Sequence, residues 1–340
     1  MSLLPYIERM AARQGLTEAE ARAAMHIVLA GQASAPQLAA FLMAIRMKSP
    51  TVDEVVGFAR AMREMAAPFD AGLPGAAVLD TCGTGGDGAG TFNISTVVAF
   101  VVAGAGVHVA KHGNRSASSN CGSADLLEAM GVRLEISLAD AARAIAGIGI
   151  GFLFAQTVHA AMKHAHPVRA DLKMPTVFNL LGPLTNPAAN VQVVGAPSPE
   201  AAELIAQALA RLGIVRGYVV HGSDGLDEVT TTGPTLAFEV QEGQVKQRAL
   251  EPEDFALHRG SPDDLRGGDL ARNLEIARAV LAGERGPRRD IVIANSAVAL
   301  AAVAQVETFL EGAALAAVSI DTGAAQGKLD ALVRFTQACG

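Results

Sequence analysis

The sequence predicts an α/β protein in which a small N-terminal helical domain is followed by a larger domain with a mostly parallel sheet flanked by helices. Three observations support this prediction. The chain has 340 residues, 50% of them hydrophobic and 18% charged, which is enough to bury a large core. Helix-start signals recur through the first 67 residues, and short apolar runs alternate with helical segments from residue 76 onwards. We therefore expect a helical domain over residues 1–70, joined by helices from about 168–190, and an α/β domain over 71–340.

The N-terminal segment carries three helix starts in which a hydroxyl side chain precedes an acidic or amide side chain by three residues. These pairs are Thr17 with Glu20, Ser34 with Gln37, and Thr51 with Glu54. Helix ends are marked by Gly31, Pro50 and Pro68. Four apolar residues recur at the spacing of one helix face, namely Leu38, Phe41, Leu42 and Ile45. The segment therefore predicts a bundle of about four helices.

The larger domain is predicted from apolar runs that suit buried strands. The predicted strands are Ala76–Leu79, Val107–Ala110, Ile150–Phe154, Val191–Val194, Tyr218–His221 and Leu236–Val240. Helices are predicted between them at about 94–104, 124–130, 138–146 and 199–212. Segment 168–190 is rich in Pro and Asn, which favours an irregular or helical excursion, and the polar segment 251–268 favours a surface loop.

The composition excludes several classes of protein. A net charge of −7 argues against a general nucleic-acid binder, because a phosphate backbone needs a basic surface. Three cysteines without paired spacing are typical of reduced thiols. The opening residues lack the apolar run of a signal peptide, and glycines interrupt the most apolar stretch, at about 94–110. We therefore expect a cytoplasmic protein that binds neither nucleic acid nor a membrane.

The strongest candidate for a binding site is the glycine-rich segment 80–87, DTCGTGGD, directly after the first predicted strand. Its glycines permit positive φ angles and let the backbone approach a ligand closely. Hydroxyl and amide side chains follow at a predicted helix start, namely Thr91, Asn93, Ser95 and Thr96. The free amides and the dipole of a helix N-terminus favour an anion such as phosphate. An ordinary strand-to-helix turn is the alternative at this point.

A second polar loop, residues 111–123 (KHGNRSASSNCGS), follows the next predicted strand. It supplies two cations, Lys111 and Arg115, and several small hydroxyl side chains, a combination that suits several phosphate oxygens. Because both loops follow strands of one predicted parallel sheet, we expect them to open at its carboxyl edge, where such sheets bind ligands. A solvated basic loop is the alternative.

A third segment, DGLDE at 224–228, follows another predicted strand and contains two adjacent carboxylates, Asp227 and Glu228. Carboxylate oxygens near phosphates suit Mg²⁺, which commonly bridges protein and substrate phosphate. Asp-Gly also marks ordinary turns, so this segment taken alone favours a turn.

Taken together, these segments resemble the anthranilate phosphoribosyltransferases. The resemblance covers nearly the whole chain. Its motifs are DTCGTGGD at 80–87, FNIST at 92–96, KHGNRSASS at 111–119, GSADLLEAMG at 122–131, FNLLGPLTNP at 178–187, DGLDE at 224–228 and GGDLARNLEI at 267–276. It implies an architecture like that of the nucleoside phosphorylases and phosphoribosyltransferases, and a homodimer. It also implies transfer of the 5-phosphoribosyl group from phosphoribosyl pyrophosphate to the amine of anthranilate, releasing pyrophosphate, in tryptophan biosynthesis.

The resemblance further implies the residues of the site. Those expected to hold phosphoribosyl pyrophosphate are Gly83, Gly86, Asp87, Thr91, Asn93, Ser95, Thr96, Lys111, Ser119 and Ser123. Other residues of the second loop expected to line the substrate site are His112, Gly113, Arg115, Ser116, Ala117 and Ser118. Mg²⁺ is expected on Ser95, Asp227 and Glu228. Asn114 and Arg169 are expected to contact anthranilate, Arg169 near its carboxylate.

The chain departs from the family pattern at three positions. Gln156 and Ala160 stand where the family usually has Pro, and Pro175 stands where it commonly has Arg. These changes affect the acceptor tunnel more than the transfer chemistry. They leave open a paralogue that transfers or phosphorolyses another pentosyl group. A non-catalytic protein of the same fold that binds nucleic acid or a partner is a third possibility. The retained Lys111, Asp227 and Glu228 argue against it, as does the acidic balance.

The implied reaction calls for charge stabilisation and positioning, and the sequence predicts no dedicated catalytic acid or base. Departure of pyrophosphate leaves a cationic, oxocarbenium-like sugar, and glycine-loop amides, Lys111 and bound Mg²⁺ suit that charge distribution. The aromatic amine is already neutral at pH 7, so no strong general base is required. Lys111 and His112 are the candidates for any catalytic role.

Overall fold

The computed structural model describes residues 2–115 and 121–339. It begins with the helices α1 (Leu4–Ala11), α2 (Glu18–Leu29), α3 (Ala35–Lys48) and α4 (Val52–Glu64). The side chains of Thr17, Ser34 and Thr51 cap α2, α3 and α4, each accepting a hydrogen bond from the backbone amide three residues on. The four apolar residues predicted to share one face of α3 are all buried. The predicted N-terminal helical bundle is confirmed.

The strands of the described chain belong to one sheet. They are β1 (Val78–Gly83), β2 (His108–Gly113), β3 (Ile150–Phe154), β4 (Val191–Gly195), β5 (Arg216–Gly222), β6 (Thr235–Gln241) and β7 (Gln244–Leu250). Their order is β3-β2-β1-β4-β5-β6-β7. The first five strands in this order are parallel to one another, and β6 and β7 each pair antiparallel with the strand before them. The chain moves from β1 outward to β3 and then returns to the other side of β1 with β4. This reversal between β1 and β4 is a topological switch point, where open α/β sheets bind ligands.

Helices cover both faces of the sheet. Those that follow the bundle are α5 (Ile94–Gly104), α6 (Ser123–Ala129), α7 (Leu138–Ile148), α8 (Ala155–Val158), α9 (His166–Leu172), α10 (Val177–Leu181) and α11 (Pro199–Arg211). The four helices predicted from the sequence are observed to within two residues at each end. The predicted excursion at 168–190 contains most of α9 and all of α10, and both of these contact the bundle.

Four more helices complete the described chain. They are α12 (Leu270–Leu281), α13 (Pro287–Ala302), α14 (Phe309–Asp321) and α15 (Ala324–Ala338). Helix α5 packs against the sheet on one side and against α13, α14 and α15 on the other, and its residues 97–103 are all buried. A helix enclosed in this way is apolar all round, which accounts for the apolar stretch in the sequence.

The structure differs from the sequence prediction mainly at strand ends and at the sheet edge. Strands β1 and β2 run further than predicted, so Asp80 and Lys111 lie within strands rather than in loops. Strand β7 was not predicted, because most of its side chains are polar and exposed and show no apolar alternation. It pairs with β6 through a tight turn in which Glu242 and Gly243 both have positive φ, 50° and 76°.

Two hydrophobic clusters divide between the faces of the sheet. Alternate residues of one strand enter different clusters, as with Val193 and Val194 of β4. The first cluster lies between the sheet and the C-terminal helices, and the second joins the bundle to α11 and the opposite face of the sheet. The half-buried Arg63 of α4 ties the bundle to the segment after α10, since its Nε donates to Leu184 O at 2.7 Å. No helix in the described part of the chain is long and apolar enough to cross a membrane.

Candidate active site

The three segments singled out in the sequence meet at the carboxyl edge of the sheet. The glycine-rich loop follows β1, the second polar loop follows β2, and segment 224–228 follows β5. The loop after β1 turns through glycines with left-handed φ, among them Gly85 at 67° and Gly86 at 84°, which other residues rarely adopt. Its far end is anchored by a β-bridge from Thr91 to Arg266 and by the amide of Gly267, which donates to Gly90 O at 2.9 Å.

Segment 224–228 lies directly over the switch point. Gly83 of β1 and Gly195 of β4 are register partners at the ends of their strands. A Cβ atom at Gly83 would lie 2.3 Å from Asp227 Oδ2, and one at Gly195 would lie 1.5 Å from Asp227 O. Only glycine at both strand ends allows Asp227 to approach the sheet this closely.

The two adjacent carboxylates face different parts of the predicted site. Asp227 Oδ2 accepts a hydrogen bond from the amide of Gly85 at 2.7 Å, and Glu228 Oε1 accepts one from the amide of Ser95 at 3.1 Å. Asp227 is therefore tied to the glycine loop and Glu228 to the first turn of α5. Asp87 of the glycine loop also interacts with Asp227.

The electrostatics of this carboxylate group suit a divalent cation. Burial and, to a smaller extent, the charge of Asp87 together raise the pKa of Asp227 to about 7. Burial also raises the pKa of Glu228, with the charge of Asp227 adding to the effect. Within the described residues, no group of three His, Cys, Asp or Glu side chains forms a ready metal site. Two adjacent carboxylates, one of them bonded to the backbone amide of Ser95, fit Mg²⁺, which takes few protein ligands and completes its shell with water and substrate phosphate.

Lys111 lies beneath the site rather than on its surface. The side chain is 3% exposed, and Nζ donates to Thr81 O at 2.7 Å. Burial lowers the pKa of Lys111, while the charges of Asp80 and Glu228 favour its protonated form. Burial correspondingly raises the pKa of Asp80. Lys111 thus supplies positive charge to a buried acidic region at the end of β1 and β2.

The start of α5 is held by an amide network that the sequence analysis did not predict. Asn93 Nδ2 donates to Cys121 O at 3.0 Å, and Asn93 Oδ1 accepts from Asn273 Nδ2 at 3.3 Å. Asn273 of α12 is 3% exposed and accepts from the amide of Gly268 at 2.9 Å. Thr96 is expected from the sequence to contact phosphoribosyl pyrophosphate. In the structure it is 1% exposed, and its hydroxyl has no hydrogen-bond partner in the described chain.

The second polar loop is described only in part. Ser116, Ala117, Ser118 and Ser119, all predicted to line the site, lie outside the described residues. Arg115 differs from the expectation of a free cation, because its guanidinium pairs with Glu128 and Asp125 of α6 and these hydrogen bonds raise its pKa. Ser123 Oγ donates to Asn114 O at 3.4 Å, and a Cβ at Gly113 would lie 2.2 Å from that hydroxyl.

Asn114 has its side-chain oxygen occupied. Oδ1 accepts from the backbone amide of Arg115 at 2.8 Å and from Gln156 Nε2 at 3.4 Å. A backbone N–H can only donate, so the atom facing it is the oxygen, and this fixes the orientation of the amide. The NH₂ group of Asn114 is therefore available to donate to a ligand. Gln156, one of the three departures from the family pattern, supports this orientation.

Arg169 of α9 carries a cation without a carboxylate partner among the described residues. Burial lowers its pKa, and its guanidinium lies 5.2 Å from the centre of the Phe178 ring, a cation–π contact. A guanidinium held in this way can bind the carboxylate of a ligand. At Pro175, where the family commonly has Arg, the guanidinium of Arg46 donates to the carbonyl oxygen at 2.5 Å.

The comparisons with known proteins agree with this geometry. Residues 75–326 match the α/β domain of a glycosyl transferase family, and residues 4–66 match the helical bundle domain of a glycosyl transferase family. The anthranilate phosphoribosyltransferase of Solibacter usitatus is 66% identical over 336 residues, which cover 98% of this chain and 99% of the relative. The chain belongs to the anthranilate phosphoribosyltransferase family. The anthranilate phosphoribosyltransferase of Moorella thermoacetica is 52% identical over 332 residues, which cover 97% of this chain and 97% of the relative.

Solved structures of the anthranilate phosphoribosyltransferase family share the fold over the whole chain. The enzyme from Thermus thermophilus superimposes with a TM-score of 0.91 at 43% identity, covering 98% of this chain and 99% of that chain. The Saccharomyces cerevisiae enzyme, in complex with phosphoribosyl pyrophosphate and Mg, gives a TM-score of 0.90 at 28% identity, covering 99% and 98%. The predicted fold class is confirmed.

Two buried histidines pack against each other, His112 in β2 and His159 directly after α8. The rings of His112 and His159 meet edge to face, with centroids 5.2 Å apart. Burial lowers the pKa of His112 to about 3, with the neighbouring His159 adding to the effect, and lowers the pKa of His159 to about 4. Both rings are therefore neutral at pH 7, and His112 carries no positive charge to the site.

These histidines predict acid sensitivity of the fold. In the unfolded chain they take up protons near pH 6.5, whereas in the folded chain they stay neutral until about pH 3 to 4. The contribution of each histidine to stability therefore falls by about 1.4 kcal/mol per pH unit as the pH drops below 6.5. Because the raised pKa values of Asp80, Asp227 and Glu228 act in the opposite sense, the test is the difference between wild type and His159→Asn in urea unfolding at pH 7.5, 6 and 5. We expect the slope in the variant to differ from that of the wild type by one histidine's share. An unchanged slope in the variant would contradict the assignment.

Proposed function

We propose that this chain catalyses the reaction for which its family is named. It transfers the 5-phosphoribosyl group from phosphoribosyl pyrophosphate to the amine of anthranilate, giving N-(5-phosphoribosyl)anthranilate and pyrophosphate. The observation that supports this most strongly is the carboxylate pair Asp227 and Glu228, placed over the switch point and bonded to both the glycine loop and α5. A polyanionic donor and its metal ion fit this combination of amides and carboxylates.

The donor half of the site stabilises departing negative charge. The glycine loop and the first turn of α5 offer backbone amides at one edge of the sheet, and such amides bind phosphate oxygens. The residues proposed to contact the donor here are Gly83, Gly86, Asp87, Thr91, Asn93, Ser95 and Ser123, with Lys111 acting through its buried charge. Ser95, Asp227 and Glu228 would hold Mg²⁺, which when bound offsets the charge of the pyrophosphate.

The acceptor half positions an anionic aromatic amine. The NH₂ group of Asn114 and the guanidinium of Arg169 are both free to donate, and both suit a carboxylate. The aromatic amine is neutral, so its lone pair can form the bond to C1 of the ribose as the bond from C1 to the pyrophosphate oxygen breaks, without prior removal of a proton by a base. The surplus proton on the nitrogen then passes to water or to the departing pyrophosphate. Burial lowers the pKa of His112 to about 3, which makes this side chain a weak base for proton transfer at pH 7.

A direct activity assay tests the proposed function. The chain is incubated with phosphoribosyl pyrophosphate, Mg²⁺ and anthranilate, and the loss of anthranilate fluorescence is followed. We expect a loss that depends on all three additions, with one pyrophosphate released per anthranilate consumed. Binding of the donor without any loss of anthranilate would contradict the proposal and favour a different pentosyl acceptor.

Removing the guanidinium of Arg169 is expected to affect the acceptor alone. Arg169→Ala deletes a hydrogen bond to a charged group, which is worth about 1.5–3 kcal/mol, or about ten- to a hundredfold in kcat/KM for anthranilate. The KM for phosphoribosyl pyrophosphate stays near the wild-type value. Arg143→Ala is the matched control, since Arg143 also lies over a Phe ring, 5.8 Å from Phe335, on α7. Equal losses for both substrates would instead indicate a role in donor binding.

A homodimer is proposed from an apolar surface on the helical bundle. Leu4 of α1 is 50% exposed, Met47 of α3 is 76% exposed, and Met174 after α9 is 41% exposed. These helices pack side by side, so the three side chains belong to neighbouring segments. We expect a dimer by light scattering and a shift to monomer in Met47→Lys. A monomeric wild type would rule the proposal out.

We also propose a domain boundary at about residue 70 and a cytoplasmic location for the protein. The division at about residue 70 is supported by the family matches on either side of it, and contacts of α9 and α10 with α3 support adding segment 168–190 to the bundle. The cysteines of the described chain form no disulfide, which supports the proposal of a cytoplasmic location.

A further inference from the structure

A buried asparagine in the C-terminal half forms hydrogen bonds with the backbone of the segment that carries Asp227 and Glu228. Asn295 of α13 is 2% exposed. Its Oδ1 accepts from the amide of Val229 at 2.8 Å, and its Nδ2 donates to Val229 O at 2.8 Å and to Ile291 O at 2.9 Å. Val229 directly follows Glu228.

The contact is specific for the backbone of this one residue. Val229 is 0% exposed and lies outside any strand or helix, so its N–H and C=O would otherwise be buried without partners. The amide side chain of asparagine has one acceptor and one donor side that match such a pair. Helix α13 is otherwise largely apolar where it is buried, so the asparagine is a costly residue at this position unless the pair is made.

The carboxylates need such an anchor because they repel one another. Asp227 and Glu228 are adjacent, both are partly buried, and Asp87 of the glycine loop interacts with Asp227 as a third acidic group. When both are ionised without a counter-ion, this repulsion opposes holding them together at the sheet edge. The segment is tied before the carboxylates by the amide of Gly222, which donates to Leu226 O at 2.9 Å. Asn295 ties it after them.

We propose that Asn295 is a positioning residue that holds Asp227 and Glu228 ready for the metal ion and the pyrophosphate of the donor. It touches neither substrate and acts through the backbone of Val229. Sites assembled in advance in this way avoid the cost of ordering their groups when the ligand binds. This inference rests on the proposed function of the same site.

The test compares two asparagines that make the same kind of backbone contact at opposite ends of the sheet. Asn190, before β4, accepts from the amide of Val78 at 2.8 Å and donates to Ala76 O at 2.9 Å, at the amino end of β1. Asn190→Ala is therefore the control for Asn295→Ala. Asn295→Ser is a second variant, because its hydroxyl can still bond to Ile291 O within the helix and so favours folding.

Binding of phosphoribosyl pyrophosphate is measured by calorimetry over a range of Mg²⁺ concentrations up to saturation, with the melting temperature and the KM for anthranilate measured alongside. We expect both Asn295 variants to bind the donor at least about tenfold more weakly and to need more Mg²⁺, with the KM for anthranilate unchanged. Asn190→Ala is expected to lower the melting temperature while keeping wild-type donor affinity. Wild-type donor affinity in folded Asn295→Ser would overturn the inference, whereas failure of the wild type to bind the donor would instead refute the proposed function.

Discussion

Replacing Asp227 by Asn and Glu228 by Gln together is expected to lower turnover by about a hundredfold or more at limiting Mg²⁺. The two carboxylates are the acidic groups placed over the switch point, and their neutral replacements cannot hold a divalent cation near the pyrophosphate. Loss of one preorganised charge-stabilising group costs about 10²–10³ in kcat in other enzymes. The measurement is a Mg²⁺ titration of the initial rate for wild type and variant.

The stability of this double variant provides the control. Burial and the neighbouring charges raise the pKa values of both carboxyls, so they cost stability increasingly as the pH rises from their ordinary values near 4 towards their raised values in the folded chain. Neutral replacements remove this cost, and the variant should be at least as stable as the wild type at pH 8 without Mg²⁺. A stable variant with an unchanged Mg²⁺ titration would remove the pair from the metal site.

Gly195→Ala is expected to have the second largest effect. The new Cβ would lie 1.5 Å from Asp227 O, which is backbone and cannot rotate away. The segment must therefore lift from the sheet, carrying Asp227 and Glu228 with it. We expect the free energy of unfolding to fall by about 1–3 kcal/mol, as in overpacked cores, and kcat/KM for the donor to fall by about tenfold or more.

Gly147→Ala is the matched control for this substitution. Gly147 lies within α7, and a Cβ there meets nothing within 4 Å. Alanine also favours a helix over glycine, so this variant should be neutral or slightly stabilised. Urea unfolding and steady-state kinetics measure both effects. Wild-type kinetics in Gly195→Ala would show that the position of Asp227 is not set by this contact.

Local signals in the sequence were sufficient to predict much of the fold. The caps at Thr17, Ser34 and Thr51 mark real helix starts, because each satisfies backbone amides within one turn. Strands of the parallel core are apolar over most of their length and could be located to within a few residues. Strand β7 could not, because it is a polar edge strand stabilised by its pairing with β6. The sequence analysis predicts none of the four C-terminal helices, α12 to α15.

The site was predictable as a set of segments but not as a set of contacts. The order of strands brings segments 80–87 and 224–228 together, and no local pattern contains that order. For the same reason, the ion pairs of Arg115 and the burial of Lys111 could not be foreseen. Asn295 left one faint signal, a polar amide within a mostly apolar helical stretch, and its partner is 66 residues away.

The most direct test of the central claim is whether the glycine loop and the carboxylate pair form one metal-dependent donor site. Calorimetry of phosphoribosyl pyrophosphate binding, with and without Mg²⁺, measures this in the wild type and in the variant with Asp227→Asn and Glu228→Gln. We predict that Mg²⁺ strengthens binding to the wild type by at least about tenfold and has much less effect on the variant. Equal Mg²⁺ enhancement in both proteins would contradict the claim.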